Sequence, residues 1–255
     1  MDLRRNIRLL LEYDGTRYHG WQRQADAATL QQTLEEALAR LTGEPVTLMG
    51  SGRTDAGVHA LGQVANFRTR SAIPLQAFHQ GLNSMLSRDI AVLAAVEASP
   101  EFHARKSARA KTYEYRILNR PTRSPLHHHY AWWIAPPLDL AAMDHAAAGL
   151  PGEHDFSAFR ASGSDNQNPR RRVLAAGWRH WEGGWLNFRI TATGFLRGMV
   201  RSLVGTLVTV GRGKASPTAL ADLLASGARH LAGPTAPPQG LYLVEVLYED
   251  EFGEG

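Results

Sequence analysis

The order of elements in the first hundred residues constrains the fold more than any other feature of this chain. Residues 6–13, Asn-Ile-Arg-Leu-Leu-Leu-Glu-Tyr, read as a buried strand that Asp14-Gly15 breaks. Thr29 opens a helix with Gln32 in capping-box position, an apolar face of Leu30, Leu34, Ala37, Leu38 and Leu41, and a stop at Gly43. Val46 to Met49 and Gln63 to Arg68 read as strands on either side of a glycine-rich loop. Pro74 starts a second helix to about Leu86, and Ile90 to Val96 is a further strand. Strand, helix, strand, strand, helix, strand is the split βαβ order of a ferredoxin-like domain. A comparable series is expected beyond residue 105: strands at 107–118 and 129–134, a helix at 139–149, strands at 172–180 and 184–192, helices at 195–210 and 217–225, and a last strand at 241–248. The expected fold is α+β: two ferredoxin-like halves, residues 1–105 and 106–255, with mainly antiparallel sheets and a basic catalytic cleft between them.

The loop joining the middle strands of the first half is Gly50-Ser51-Gly52-Arg53-Thr54-Asp55-Ala56-Gly57-Val58-His59-Ala60. Glycines at 50, 52 and 57 permit backbone conformations that a β-carbon forbids, so a tight loop can display an acid. An aspartate with a reference pKa of about 3.9 is ionised at neutral pH and can act as a nucleophile. The same local spacing also fits an Asx-type turn in which Asp55 bonds its own backbone.

Composition sets outer bounds. A chain of 255 residues buries a substantial core and accommodates one large domain or two small ones. No apolar run approaches the roughly 20 residues that span a bilayer, and Met1-Asp2-Leu3-Arg4-Arg5 has no signal-peptide core, so a cytoplasmic protein is expected. Absence of cysteine excludes disulfides, thiolate metal sites and a thiol nucleophile. Of the 28 basic residues only Lys106, Lys111 and Lys214 are lysines. Guanidinium suits phosphate, so the bias fits a nucleic-acid ligand, though a GC-rich genome or heat adaptation produces it equally.

The run Gly52-Arg53-Thr54-Asp55-Ala56-Gly57-Val58-His59-Ala60 resembles the signature loop of the TruA-type tRNA pseudouridine synthases. Segments similar to that family follow at Tyr13-Asp14-Gly15 through Gly20-Trp21-Gln22-Arg23-Gln24, Phe102-His103-Ala104-Arg105, Lys111-Thr112-Tyr113-Glu114-Tyr115, Gly152-Glu153-His154-Asp155-Phe156 and Met199-Val200-Arg201. The resemblance implies a cofactor-free isomerase that converts uridine to pseudouridine at positions 38, 39 and 40 of the tRNA anticodon arm, working as a homodimer. It assigns Asp55 as nucleophile, Tyr113 as the ring packed on the target uracil, Arg201 as the partner of Asp55, and Arg53 as the group that levers out or replaces the flipped nucleotide. Read without it, Tyr113 and Tyr115 share a strand face and either fits a core aromatic, while Arg201 fits an exposed helix face beside Arg197. Arg23 and the run Arg170-Arg171-Arg172 are candidate RNA contacts; the run equally fits a solvated turn entering a strand.

Two departures from the family pattern are Gly198, where a histidine is common, and Lys106, where an aromatic is frequent. Gly198 is expected to cost helix propensity. The loops Ser162-Gly163-Ser164-Asp165-Asn166-Gln167-Asn168-Pro169 and Ala232-Gly233-Pro234-Thr235-Ala236-Pro237-Pro238 read as too polar or proline-rich to pack. His127-His128-His129 reads as a strand edge and not a metal site, since consecutive residues rarely converge on one ion, and His59 is expected to fix its loop or lie near RNA. No phosphate loop or Rossmann fingerprint is present, which argues against a nucleotide cofactor. A glycoside hydrolase would require a second carboxylate, for which Asp14 or Glu12 is available. A non-catalytic tRNA-folding protein and a metal-dependent nuclease are the remaining rivals.

Overall fold

The structure is a computed structural model that describes residues 4–161 and 168–249, so most of the 162–169 loop lies outside the described residues. The chain divides into two compact units. One runs to Arg109 and takes up the chain again from Leu243; the other is Ala110–Tyr242. The last strand thus returns to the first unit, a long-range pairing that element order along the sequence does not reveal.

In the first unit the order is β1 (Arg5–Tyr13), α1 (Leu30–Thr42), β2 (Met49–Gly50), β3 (His59–Thr69), α2 (Leu75–Met85) and β4 (Ile90–Ala98). β1 lies between β3 and β4, antiparallel to both, and β2 pairs antiparallel with β3 at Met49↔Asn66 and Gly50↔Ala65. On the far side of β3 comes β10 (Leu241–Leu247). Alternation along β1 buries Ile7, Leu9, Leu11 and Tyr13, while α1 buries Leu30, Leu34 and Leu38 and α2 buries Phe78 and Leu82. Each fully buried leucine contributes about 2 kcal/mol. Thr29 caps α1 by accepting from the Gln32 amide at 3.4 Å, and Gly43 ends it in the left-handed region at φ 75°. The strand expected over Val46–Met49 is shorter and later, because Leu48 is instead held by its amide on the buried Glu35 carboxylate at 2.9 Å.

The second unit contains β5 (Ala110–Asn119), β6 (Trp132–Ile134), α3 (Leu140–Ala147), β7 (Gly152–Asp155), β8 (Arg170–Trp181), β9 (Trp185–Ala192), α4 (Met199–Gly211) and α5 (Ala219–Ser226). Its strands run β5-β9-β8-β7, antiparallel throughout, with β6 parallel to the end of β5. β7 is an addition to the expected elements; a glycine and three polar residues give it no period-2 signal. Leu186, Phe188, Ile190 and Ala192 alternate inward along β9, and α4 buries Leu203 and Leu207.

Three expectations are corrected here. His127, His128 and His129 lie in a turn before β6, with the tyrosine amide at 130 bonded to the His127 carbonyl at 2.9 Å, and not on a strand edge. α4 begins at Met199 and not at 195, because Gly198 caps it with φ 72°. Gly198 therefore costs no propensity in the helix, and Arg197 precedes the helix and shares no helical face with Arg201. Finally, the 232–238 loop packs. Ala236 is buried, the Gly233 amide donates to Thr206 Oγ1 at 3.0 Å, and the Pro234 carbonyl sits where a β-carbon at Gly205 would lie. Its polar groups find partners on α4, which composition cannot show.

Candidate active site

Ser51, Gly52, Thr54 and Gly57, on either side of Asp55, are tied to the segment 13–21 or to β3. Ser51 donates its amide to the Val64 carbonyl at 2.7 Å and its hydroxyl to Gln63 Oε1 at 2.6 Å, while Gln63 Nε2 donates to the Gly52 carbonyl at 3.0 Å. The Thr54 carbonyl accepts from the Trp21 amide at 3.0 Å, and Thr54 Oγ1 lies 2.8 Å from the Tyr13 hydroxyl. Beyond Asp55 the chain turns: the Val58 amide donates to the Asp55 carbonyl at 3.2 Å, Gly57 takes φ 76°, and its amide donates to the Tyr18 carbonyl at 3.3 Å. The turn leaves Asp55 half-buried and Arg53 exposed, while Thr54 and Val58 are buried.

Close approach explains the family segment Tyr13-Asp14-Gly15 through Trp21. A β-carbon on Gly15 would stand 2.0 Å from the Val58 carbonyl oxygen, and one on Gly20 would stand 2.7 Å from that of Thr54. Gly50 is required for a different reason than a permissive φ: the Trp21 ring lies where its β-carbon would be, at 2.6 Å. His59 is buried, and its Nδ1 lies 3.1 Å from both the Gly15 amide and Asp14 Oδ1. One ring nitrogen serves only one of them. In the neutral tautomer it accepts from Gly15, and Asp14 is meanwhile engaged by the Thr16 amide at 2.9 Å and hydroxyl at 2.5 Å. Asp14 is thus a capping residue, and Glu12 is exposed on β1.

The Phe102-His103-Ala104-Arg105 segment is held by a buried amide pair. Asn66 Nδ2 donates to Asn6 Oδ1 at 2.8 Å, Asn6 Nδ2 donates to the Phe102 carbonyl at 2.9 Å, and the Ala104 amide donates to Asn66 Oδ1 at 2.8 Å. Tyr248 closes the clasp by donating to the Ala104 carbonyl at 2.8 Å. None of Tyr13, Thr54, Gln63, Asn6 or Asn66 was singled out from sequence as a supporting residue. For all but Thr54, which lies in the loop, a buried polar residue on a strand is the signal that marks them.

In the second unit Tyr113 is buried on β5 and meets Phe195 edge-on, with ring centroids 4.9 Å apart. Tyr115, two residues on, donates its hydroxyl to the Pro237 carbonyl at 2.7 Å; burial drives its pKa far above the ordinary tyrosine value, against the pull of the Arg201 charge. Arg201 stands in the first turn of α4, half-buried, and its Nε donates to the Ala236 carbonyl at 2.8 Å while its own carbonyl accepts the Ala236 amide at 3.0 Å. Tyr115 and Arg201 thus both rest on the 232–238 loop.

The candidate RNA contacts are dispersed. Arg23 is exposed and lies 3.5 Å from the buried Glu35 carboxylate. Arg170 and Arg172 are exposed on one side of β8 and Arg171 is turned to the other, with Arg170 3.7 Å from Glu153. Arg171 Nη1 donates to the Asn168 carbonyl at 2.8 Å and the Arg170 carbonyl at 2.5 Å, and burial pulls its pKa below the ordinary arginine value. Among the described residues no group of three or more histidines, aspartates or glutamates is placed to hold a metal ion, and no helix is long and apolar enough to cross a membrane.

A mixed α+β protein with mostly antiparallel strands, displaying a carboxylate on a braced turn, has the build of an enzyme whose site sits on a rigid scaffold. The chain belongs to the tRNA pseudouridine synthase family, whose model matches residues 10–105 and 146–249, and is accordingly an RNA-modifying isomerase. It is 50% identical over 244 residues to tRNA pseudouridine synthase A of Pelobacter propionicus, covering 96% of this chain and all of that one. It is 48% identical over 244 residues to the proteins of the same name from Thermoanaerobacter sp. (strain X514) and Myxococcus xanthus, covering 96% of this chain and 100% and 92% of theirs.

Proposed function

We propose that this chain isomerises uridine to pseudouridine at positions 38, 39 and 40 of the tRNA anticodon arm, without a cofactor, with Asp55 as the nucleophile. The N1–C1′ bond breaks, the uracil turns while held, C5 joins C1′, the C5 proton leaves to water and the freed N1 takes up a proton, so substrate and product are isomers. Attack at C1′, addition at C6 and a glycal route all begin from an ionised Asp55. Tyr113 packs on the extruded uracil, Arg201 is the cation that pairs with Asp55, and Arg53 takes the place of the flipped nucleotide. Arg23, Arg170, Arg171 and Arg172 contact RNA phosphates. This reading treats the protein as a cytoplasmic homodimer built of two ferredoxin-like halves, residues 1–105 and 106–255 save the last strand, which returns to the first unit, with a basic catalytic cleft between them; the β4-β1-β3 order with β2 on β3 supports it for the first half.

The observation that carries the proposal is the bracing of Asp55 from both sides by Trp21, Tyr13 and Tyr18. A solvated Asx turn needs no such support, whereas a nucleophile does. The test is tritium release from C5-labelled uridine in unmodified tRNA transcript, in EDTA and with no added cofactor. Wild type should release tritium without free uracil, and Asp55→Asn should lose roughly 10³-fold or more of the rate. Free uracil would identify a hydrolase, chelator sensitivity a nuclease, and a fully active Asp55→Asn would end the proposal.

A further inference from the structure

Asp55 itself is held at its carbonyl by the Val58 amide, but the residue before it is held twice. The Thr54 carbonyl accepts from Trp21 and its hydroxyl lies 2.8 Å from that of Tyr13, with both side chains buried. The Tyr13 hydroxyl is itself approached by Gln63 Nε2 at 3.5 Å, and the same amide group holds Ser51 and Gly52 at the start of the loop. A register shift makes this cluster: Leu11 pairs with Gln63 but Tyr13 pairs with Ala60, so β3 carries one extra residue there. The bulge sets the Gln63 amide below the loop, and close passage of the Val244 carbonyl beside Gly62 helps define it. Burial raises the Tyr13 pKa to about 12, so its hydroxyl keeps its proton across the working range of an enzyme.

We propose that Tyr13 and Thr54 are positioning residues for the isomerisation, a hydroxyl pair that fixes the backbone on which Asp55 is aimed. This rests on Asp55 as nucleophile. Neither hydroxyl touches substrate; the pair acts through the Thr54–Asp55 peptide. Displacing a reacting group by about 1 Å costs on the order of 10²-fold, so loss of the pair should be read in the chemical step and not in tRNA binding.

The experiment is single-turnover pseudouridine formation at saturating tRNA, with tRNA Kd and urea midpoint measured beside it, for Tyr13→Phe, Thr54→Val, the double variant, Thr54→Ser and Asp55→Asn. Tyr13→Phe and Thr54→Val should each slow the step by about 10- to 100-fold with Kd unchanged within about twofold. The double variant should be no slower than the worse single, since the two act as one unit, and Thr54→Ser should recover most of the rate. A merely structural role would shift the urea midpoint and leave the rate of the folded protein intact. Wild-type rates in folded Tyr13→Phe and Thr54→Val, a loss confined to Kd, or additive losses in the double variant would each overturn the positioning role. If Tyr13→Phe does not fold, equal rates for Thr54→Val and Thr54→Ser overturn it. A fully active Asp55→Asn overturns the nucleophile assignment instead.

Discussion

The Asp55 loop and the arginine run at the start of β8 are both polar and both lie at strand ends, yet the chain holds them in opposite ways. Around Asp55 the residues at 51, 54, 58 and 59 are buried, and the loop is fixed by hydrogen bonds that come from beneath it. Arg170 and Arg172 stand exposed, and the Arg170–Glu153 approach of 3.7 Å joins two side chains that are each more than half exposed. An ion pair so placed contributes well under about 1 kcal/mol and imposes little geometry. The difference matches what each can do: an acid that must meet one atom needs a fixed direction, while a guanidinium that attracts phosphate works over several ångströms.

The sharpest way to break this comparison is Gly15→Ala. Its β-carbon would stand 2.0 Å from the Val58 carbonyl, which belongs to the backbone and cannot swing aside. The expected cost is about 3 to 4 kcal/mol, read as a lowered urea midpoint, with loss of activity in what remains folded. Gly43→Ala serves as control: its β-carbon meets nothing within 4 Å, and only its φ of 75° is penalised, at about 1 kcal/mol. Equal effects at the two glycines would mean that the loop is not braced by segment 13–21.

Next in size is an alkaline effect. Tyr13 has a pKa near 12 when folded against 10 when unfolded, so between those values the unfolded chain sheds a proton that the folded one keeps. Stability from this burial is complete below pH 10 and is lost as pH rises toward 12, by about 2 to 3 kcal/mol. Tyr115 shifts in the same direction, so urea titrations between pH 9 and 12 should show a steep fall in wild type and a shallower one in Tyr13→Phe. An unchanged slope would place Tyr13 in a wetter site than the structure gives it.

These two tests also mark where the sequence was and was not legible. The α1 boundaries follow from local chemistry, since Thr29 caps through its hydroxyl and Gly43 through the left-handed φ that a missing β-carbon permits. Asp55 stands out in the sequence because glycines and a family motif surround it. Tyr13 reads from sequence as the end of a buried strand and the first residue of a family-like segment but not as a support for Asp55, because its partner Thr54 is 41 residues away and a one-residue bulge decides that they meet. The start of α4 was misjudged because an apolar run from Phe195 continues the helical pattern through Gly198, whose φ of 72° ends it. The 232–238 loop was misread because proline content signals a loop but says nothing about Arg201 and Tyr115 reaching its carbonyls. For Tyr13 and the 232–238 loop a long-range hydrogen bond overrides the local pattern.

Arg201 sits between the two extremes, half-buried and anchored by its Nε on the Ala236 carbonyl. Arg201→Met keeps the stem and removes the charge, and should slow single-turnover isomerisation by about 10- to 30-fold while tRNA Kd moves less than threefold. Arg201→Lys restores charge without the fork that reaches Ala236, so it should recover the rate only in part. Full activity in Arg201→Met would assign the residue to loop packing alone.

The smallest effects are expected where the comparison began. Arg170→Gln and Arg172→Gln together should raise tRNA Kd several-fold and lower the slope of log K against log salt by about one to two, with the single-turnover rate at saturation intact. Arg171→Gln should do less to the salt slope, because its guanidinium is folded back on the Asn168 and Arg170 carbonyls and is partly buried. Its removal instead frees two carbonyls at the start of β8, so a lowered urea midpoint should accompany it. An Arg171 variant with the largest salt effect of the three would show that the free protein's side-chain arrangement is undone when RNA binds, and that this strand end is a mobile contact where the Asp55 loop is a fixed one.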